Sequence, residues 1–324
     1  MQDLLATALE RRRPLLDRAE AEGTDAFRLL HGVAEGAPGL TIDRYGPILL
    51  VQTWRDPLPE GVLPRLQQVA SEALGTPLTA VWNHRPAGAR GYGQLHPVDL
   101  PEDVVAFELG LRFDARPRHR GNDPLLFLDL RTLRRRVIAH RARTVLNLFS
   151  YTCGVGTAAL RSGADEVWNV DFASSALEVG LANAALNDLP VDRVRQVHHD
   201  ALPILRMLAG GKPGRRRPSV EVEPRTFDLV VLDPPAFSKG PWGAVDVVRD
   251  YPTLLKPALA CTAEGGVLAV TQHVASVPLE TFLATIERTA EKLGRRVAIE
   301  VMEPEGDFPS FDGRPPLKMA WVRA

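Results

Sequence analysis

The segment Asp233-Pro234-Pro235-Ala236-Phe237 ends an apolar run that begins at Phe227. Two consecutive prolines neither continue a strand nor enter a helix interior, so the chain is expected to leave a sheet here as a stiff, extended loop. Such a loop offers one carboxylate, free backbone carbonyls and an aromatic ring. That set can hold a flat polar group by its edge and stack on its face. A second segment, Phe149-Ser-Tyr-Thr-Cys-Gly-Val-Gly-Thr157, follows another apolar run and opens a helix. Gly154 and Gly156 let a backbone approach a ligand closely. The helix N-terminus adds a positive dipole end suited to a carboxylate or phosphate.

A glycine-rich turn alone is common to many folds, and the placing of acids sharpens it. Asp171 ends a second strand, where a carboxylate can accept both hydroxyls of a ribose. Asp200 ends a third, where it can accept from an adenine amino group. Each of these acids by itself is also what a helix N-cap looks like; Asp171, Asp200 and Asp233 in order at successive strand ends favour a ligand site. The turn lacks the full G-x-G-x-x-G spacing of a dinucleotide site. A ligand with a ribose, an adenine and a short charged tail fits S-adenosylmethionine.

These residues need a scaffold that brings strand ends together. From Thr144 onward the pattern alternates strand and helix, with strands expected at 145–149, 168–171, 194–198, 227–232 and 267–271. Helices are expected at 174–187, capped by Ser174, at 246–262 and at 279–292, and closing strands at 297–301 and 318–322. This alternation predicts a mostly parallel sheet covered on both faces. Ahead of it, residues 1 to about 25 read as one charged helix. Strands at 39–46 and 47–53 flank a Tyr-Gly-Pro turn, 63–74 is a helix, and 79–83 and 105–113 are further strands. Residues 210–218, rich in Gly, Pro and Arg, read as a surface loop.

The 324 residues suffice for two domains, and 45% hydrophobic with 24% charged content is ordinary for a globular protein. No apolar run reaches membrane-spanning length and no signal peptide is evident. Two cysteines, Cys153 and Cys261, exclude a disulfide framework or a cysteine zinc cluster and fit a reducing cytoplasm; no metal site is expected. The formal net charge is −1, yet from Arg112 to Arg143 ten arginines face three aspartates, a local balance of +7 with His neutral. That stripe is either a phosphate-facing surface or a solvated helix face.

The Asp-Pro-Pro segment is similar to motif IV of methyltransferases that act on nucleobases. More broadly, residues 27–324 resemble the bacterial 23S ribosomal RNA large-subunit methyltransferases of the RlmI/RlmK type. The resemblance rests on Phe27-Arg-Leu-Leu-His-Gly32, residues 39–46, Phe127-Leu-Asp-Leu-Arg131, Leu146-Asn-Leu-Phe-Ser-Tyr-Thr152 and Asp233-Pro-Pro-Ala-Phe-Ser-Lys239. It implies a class I methyltransferase fold, Rossmann-like with a mostly parallel seven-stranded sheet, preceded by a small α+β domain. The expected division is an N-terminal helical arm at 1–26, a central α+β domain at 27–114 and a methyltransferase domain at 115–324. It further implies cofactor contacts from Phe127, Asp129 and Arg131. With the turn and the strand ends, the expected cofactor set adds Asn147, Phe149, Ser150, Tyr151, Gly154, Gly156, Asp171, Phe172, Asp200, Ala201 and Asp233.

The departures carry chemistry. The N-terminal PUA domain usual in the family is expected to be missing. Cys153 stands where the family usually has Gly, and Leu130 where it has Gln. In the cytosine-C5 members the strand after Gly265 ends in a Ser-Cys-Ser sequence whose cysteine attacks the base; here His273 takes that cysteine's place. Imidazole is a much weaker nucleophile than a thiolate toward such a ring, whereas a nitrogen target needs no covalent adduct. His273 is therefore expected to orient the base or act as a general base, or to cap the strand. Cys153 reads as a packing residue.

The expected function is methylation of an RNA base, most readily in 23S rRNA and at a nitrogen. Asp233, Pro234, Phe237 and His273 are the catalytic set, with Phe237 stacking an extruded base. Arg116, Arg118, Arg120, Arg134, Arg135, Arg136 and Lys239 would contact phosphates. RNA is the expected partner, with no membrane, in the cytoplasm, as a monomer or homodimer. The alternatives are a small-molecule or protein methyltransferase, a cytosine-C5 enzyme with another nucleophile, and a non-catalytic protein that keeps the fold.

Overall fold

A computed structural model of the chain describes all residues except 87–93, 97–102, 118–122, 214–219, 221, 241–242 and 315–316; for 94–96, 237–240 and 243–250 it describes the backbone only. The chain divides into two compact units, Met1–Arg131 with Pro304–Pro315, and Thr132–Glu303 with Pro316–Ala324.

The first unit begins with helices α1 (Gln2–Arg11) and α2 (Arg13–Ala21). The expected single helix breaks at Arg12, because Pro14 sits in the first turn of α2, where its missing N–H and fixed φ are tolerated. Strands β1 (Ala26–Leu30), β2 (Leu40–Tyr45) and β3 (Ile48–Thr53), helix α3 (Val62–Leu74), then strands β4 (Thr79–His84) and β5 (Gln94–His96) follow. They form a five-stranded sheet in the order β1-β2-β3-β4-β5, antiparallel except for the β3/β4 pair. The β2–β3 turn requires Gly46, which has φ 56° and whose Cβ would lie 2.4 Å from the Val105 carbonyl oxygen. One sheet face buries Leu40, Ile42, Leu49, Val51 and Ala80 in a cluster with Leu5 and Leu9 of α1 and Leu66 and Ala70 of α3.

Residues 105–113, expected as one strand, are a hairpin of β6 (Val105–Glu108) and β7 (Leu111–Asp114). Leu109 and Gly110 both have positive φ, 54° and 71°, which is the two-residue turn matching strand twist.

The second unit starts in α4 (Arg131–His140), followed by β8 (Thr144–Leu148), α5 (Gly154–Arg161), β9 (Glu166–Asp171), α6 (Ser174–Leu186), β10 (Val194–His198) and α7 (Ala201–Leu208). Then come β11 (Phe227–Leu232), the strands β12 (Phe237–Gly240) and β13 (Gly243–Asp246), α8 (Val247–Ala260), β14 (Thr262–Gln272), α9 (Leu279–Lys292), β15 (Ala298–Met302) and β16 (Lys318–Arg323). Seven of them form one sheet in the order β10-β9-β8-β11-β14-β16-β15, parallel through β14 and antiparallel at β16 and β15. This is the expected mostly parallel α/β sheet. Leu146, Leu148, Trp168, Val170, Val230, Leu232, Leu268 and Val270 are buried in the sheet, with Ile204, Leu254 and Ile286 from the helices in the same cluster. The chain runs outward from β8 through β9 to β10, then restarts on the other side of β8 with β11. Ligands bind at such a reversal, outside the strand carboxyl ends. Among the described residues no helix is long and apolar enough to cross a membrane.

Candidate active site

Beyond β8 the turn at 149–153 carries positive φ at alternate residues: Phe149 at 56°, Tyr151 at 45° and Cys153 at 59°. Each costs about 1–3 kcal/mol for a residue with a side chain, and such strain concentrates at functional sites. The turn is held by named bonds. Ser150 N–H donates to the Val170 carbonyl at 3.1 Å and Cys153 N–H to the Ser150 carbonyl at 2.7 Å. Tyr151 N–H donates to Asp171 Oδ2 at 2.8 Å.

Asp171, at the end of β9, thus holds the turn. Its Oδ1 accepts the Ala173 N–H at 2.8 Å. Ala173, not Ser174, is the N-cap of α6, and it makes no side-chain cap bond. Burial pushes the Asp171 carboxyl above the ordinary aspartate value, partly offset by these N–H groups. The Phe172 N–H also favours the charged carboxylate, which has about four acceptor sites in all and so can still take a further donor. Asp200 follows β10 and caps α7, accepting the Leu202 N–H at 3.0 Å. It too retains acceptor capacity. Two carboxylates at neighbouring strand ends beside a strained turn suit a ribose and an adenine amino group, so the residues fit an adenosyl cofactor.

Packing by itself calls for glycine at position 156. A Cβ there would lie 2.4 Å from Asn169 Oδ1, which also accepts from Asn147 Nδ2 at 2.9 Å. Asn147 and Asn169 are both buried. Cys153 is used the same way, since a Cβ on Gly180 would lie 2.3 Å from its Sγ. Burial pushes the thiols of Cys153 and Cys261 up to about 12.

Asp233 follows β11, and His273 follows β14, its parallel neighbour. His273 Nε2 donates to Asp233 Oδ1 at 2.8 Å. Thr271 Oγ1 donates to the same oxygen, and Tyr251 of α8 donates to the Thr271 carbonyl at 2.8 Å. Burial alone would raise the Asp233 carboxyl. The His273 charge and hydrogen bond, the Thr271 hydroxyl and the charge of Arg134 outweigh it and hold Asp233 below the ordinary value. Pro234 is buried beside it. Sequence reading missed Thr271 and Tyr251. Strand alternation could have found Thr271, which lies two residues before His273 and so shares its side of the strand.

The arginine stripe does not form one exposed face. Arg134 is 2% exposed, too buried to meet phosphates, and acts instead on Asp233. Arg131, in the first unit, is equally buried and pairs with Glu108 at 3.2 Å and Asp307 at 3.1 Å. Arg136 lies over Trp321 and pairs with Glu300 at 2.6 Å. Arg116 pairs with Asp114 at 2.9 Å and Arg135 is half-buried. Phe127 is exposed, and Asp129 lies in the short helical turn Leu128–Leu130 that follows it in the first unit. Phe149, Tyr151 and Phe172 are half-buried, while Ser150 and Ala201 are buried. Arg118 and Arg120 lie outside the described residues, as do the side chains of Phe237 and Lys239.

Known proteins match the chain over most of its length. The chain is 30% identical over 318 residues to the ribosomal RNA large subunit methyltransferase I of Aeromonas salmonicida, covering 94% of this chain and 74% of that one. It is 31% identical over 301 residues to a ribosomal RNA large subunit methyltransferase of Deinococcus radiodurans, covering 90% and 70%. A crystal structure of a methyltransferase complexed with SAH shares the fold at a TM-score of 0.80 and 23% identity, over 100% of this chain and 80% of that one. A family model described as S-adenosylmethionine-dependent methyltransferase matches residues 27–323. With its strand-end carboxylates on a seven-stranded sheet and that match along nearly its whole length, the chain belongs to the S-adenosylmethionine-dependent methyltransferase family.

Proposed function

We propose that this enzyme methylates a nitrogen of an RNA base, in large-subunit ribosomal RNA, in the cytoplasm. The relatives named as ribosomal RNA large subunit methyltransferases, matched over most of both chains, support the substrate class. One observation carries the choice of atom. At the end of β14 stands His273, bonded to Asp233, while both cysteines are buried with thiols pushed up to about 12. A protonated, buried thiol is no nucleophile at neutral pH. Carbon 5 of cytosine needs one; a base nitrogen does not.

In this reading Asp171 accepts the ribose hydroxyls and Asp200 the adenine amino group. Phe149, Tyr151, Phe172 and Ala201 border them, with Asn147, Ser150, Gly154 and Gly156 shaping the turn from below. Phe127, Asp129 and Arg131 stay in the proposed cofactor set on the resemblance alone. Bound S-adenosylmethionine supplies an electrophilic methyl group. Asp233 and Pro234 hold the base edge, Phe237 its face, and His273 the proton. Arg116, Arg135, Arg136 and Lys239, with Arg118 and Arg120, are proposed to meet RNA phosphates.

The test is mass spectrometry of ribosomal RNA nucleosides from cells with and without the protein. A nitrogen-methylated base present only with the protein is expected. A 5-methylcytosine that depends on the protein would overturn the nitrogen assignment, and unchanged ribosomal RNA would overturn the substrate.

A further inference from the structure

We propose that Asp233 and His273 act as a proton-accepting pair, so that the methylated nitrogen is one that carries hydrogen in the neutral base: an exocyclic amino group or a ring lactam N–H, and not an unprotonated ring nitrogen such as guanine N7. This rests on the nitrogen reading above and narrows it.

A carboxylate has no proton to give, so the 2.8 Å contact between His273 Nε2 and Asp233 Oδ1 requires hydrogen on Nε2. In the neutral imidazole the lone pair then sits on Nδ1. The ring is held in one tautomer with its basic nitrogen defined, which is what a general base needs. Asp233 is set for the complementary part. It is largely buried, at 15% side-chain exposure, against 29% for His273. Its carboxyl lies below the ordinary value, so it remains charged through neutral pH and can offset an imidazolium.

The surroundings fix Asp233. Thr271 Oγ1 and His273 Nε2 both reach Oδ1, one from each of two alternate residues at the end of β14. Tyr251 of α8 holds the Thr271 carbonyl at 2.8 Å. Among the described residues, Arg134 of α4 acts on the pair and favours the carboxylate, and Tyr251, whose hydroxyl burial keeps protonated, is coupled to Asp233. Thr271 is thus a positioning residue. A pair so built is idle in methylation of N7, whose lone pair is already in place and which has no proton to lose.

The step balances. The nitrogen electron pair forms the new N–CH3 bond as the S–CH3 bond breaks, and sulfur keeps that pair as a neutral thioether. The N–H proton passes to His273 Nδ1, and Asp233 offsets the resulting charge.

Two measurements test this on the full-length protein. The first is ¹⁵N NMR of the His273 ring without cofactor or RNA, assigned by comparison with His273→Gln. The Nε2–H tautomer is expected, with the preference lost in Asp233→Asn; an Nδ1–H ring would overturn the pair. The second maps the methylated atom and follows the rate with pH. An amino- or lactam-methylated product is expected, with kcat falling as pH drops through the His273 titration. His273→Gln should lower kcat by about 10²–10⁴-fold with KM for RNA little changed, and should remove that acid limb. Thr271→Val should lower kcat and Thr271→Ser restore it. A 7-methylguanosine product, or an acid limb that survives His273→Gln, would overturn the pair while leaving the nitrogen reading intact. A 5-methylcytosine product would overturn that reading itself.

Discussion

At the scale of single residues, Asp171 does two jobs that compete for one carboxylate. It ties the Tyr151 and Ala173 amides of the strained turn and α6, and it is the proposed acceptor for the ribose. Asp171→Ala should weaken S-adenosylmethionine binding by about 1.5–3 kcal/mol, the range for hydrogen bonds to a charged group. Calorimetry with unchanged affinity would remove Asp171 from the site. Because burial raises its carboxyl, protons compete from a higher pH than for an ordinary aspartate. Affinity should be complete above that titration and fall as pH drops through it; the fall should be absent in Asp171→Asn. Among the arginines, burial separates two kinds. Removing the Arg131 guanidinium takes the ion-pair cation from the buried carboxylates of Glu108 and Asp307, so Arg131→Ala should cost about 3–5 kcal/mol in urea unfolding. Arg136→Ala loses a half-exposed pair with Glu300 and the contact over the Trp321 ring, and should cost less, about 1–2 kcal/mol.

At the scale of elements, α5 can lie against β9 only because Gly156 leaves room for the Asn169 amide. Gly156→Ala should therefore destabilise the protein by about 1–3 kcal/mol through overpacking. In Gly156→Ala/Asn169→Ala part of that loss should return, and thermal melts of the two variants would show it. A single variant as stable as the parent would mean that the contact relaxes freely. Elements with a strong hydrophobic period were legible in advance: α9 falls at the expected 279–292, and β10 and β11 at the expected 194–198 and 227–232. Elements with a weak local signal were not. The β6–β7 hairpin hides in nine residues because its turn, Leu109-Gly110, carries an ordinary leucine at positive φ. The break at Arg12 was masked by leucines that keep helical spacing across it.

At the scale of the whole molecule, the described residues place one hydrophobic cluster in the first unit and another in the second. Chains with more than one core often depart from two-state unfolding. Urea unfolding followed by fluorescence should show two transitions, with Trp82 reporting the first unit's cluster and Trp168 the second's. S-adenosylhomocysteine at 100-fold its dissociation constant should raise the stability of the transition that Trp168 reports, by about 2.7 kcal/mol. Coincident transitions in Trp82→Phe and Trp168→Phe variants would show instead a single cooperative unit.

The alternation of strands and helices, the placing of Asp171, Asp200 and Asp233 at successive strand ends, and the family itself were all readable from the sequence. Each depends on local period or on residue types at strand ends, which the chain carries within short windows. Burial and pairing across the sheet were decided only by tertiary structure. The arginines between 112 and 143 look alike in sequence, yet Arg131 and Arg134 are buried beside carboxylates from distant segments while Arg141 and Arg143 are exposed. His273 and Asp233 stand forty residues apart and meet only because β11 and β14 are neighbours in register. Charge and reactivity follow from what surrounds a group once folded, and those surroundings come from parts of the chain that no local window contains.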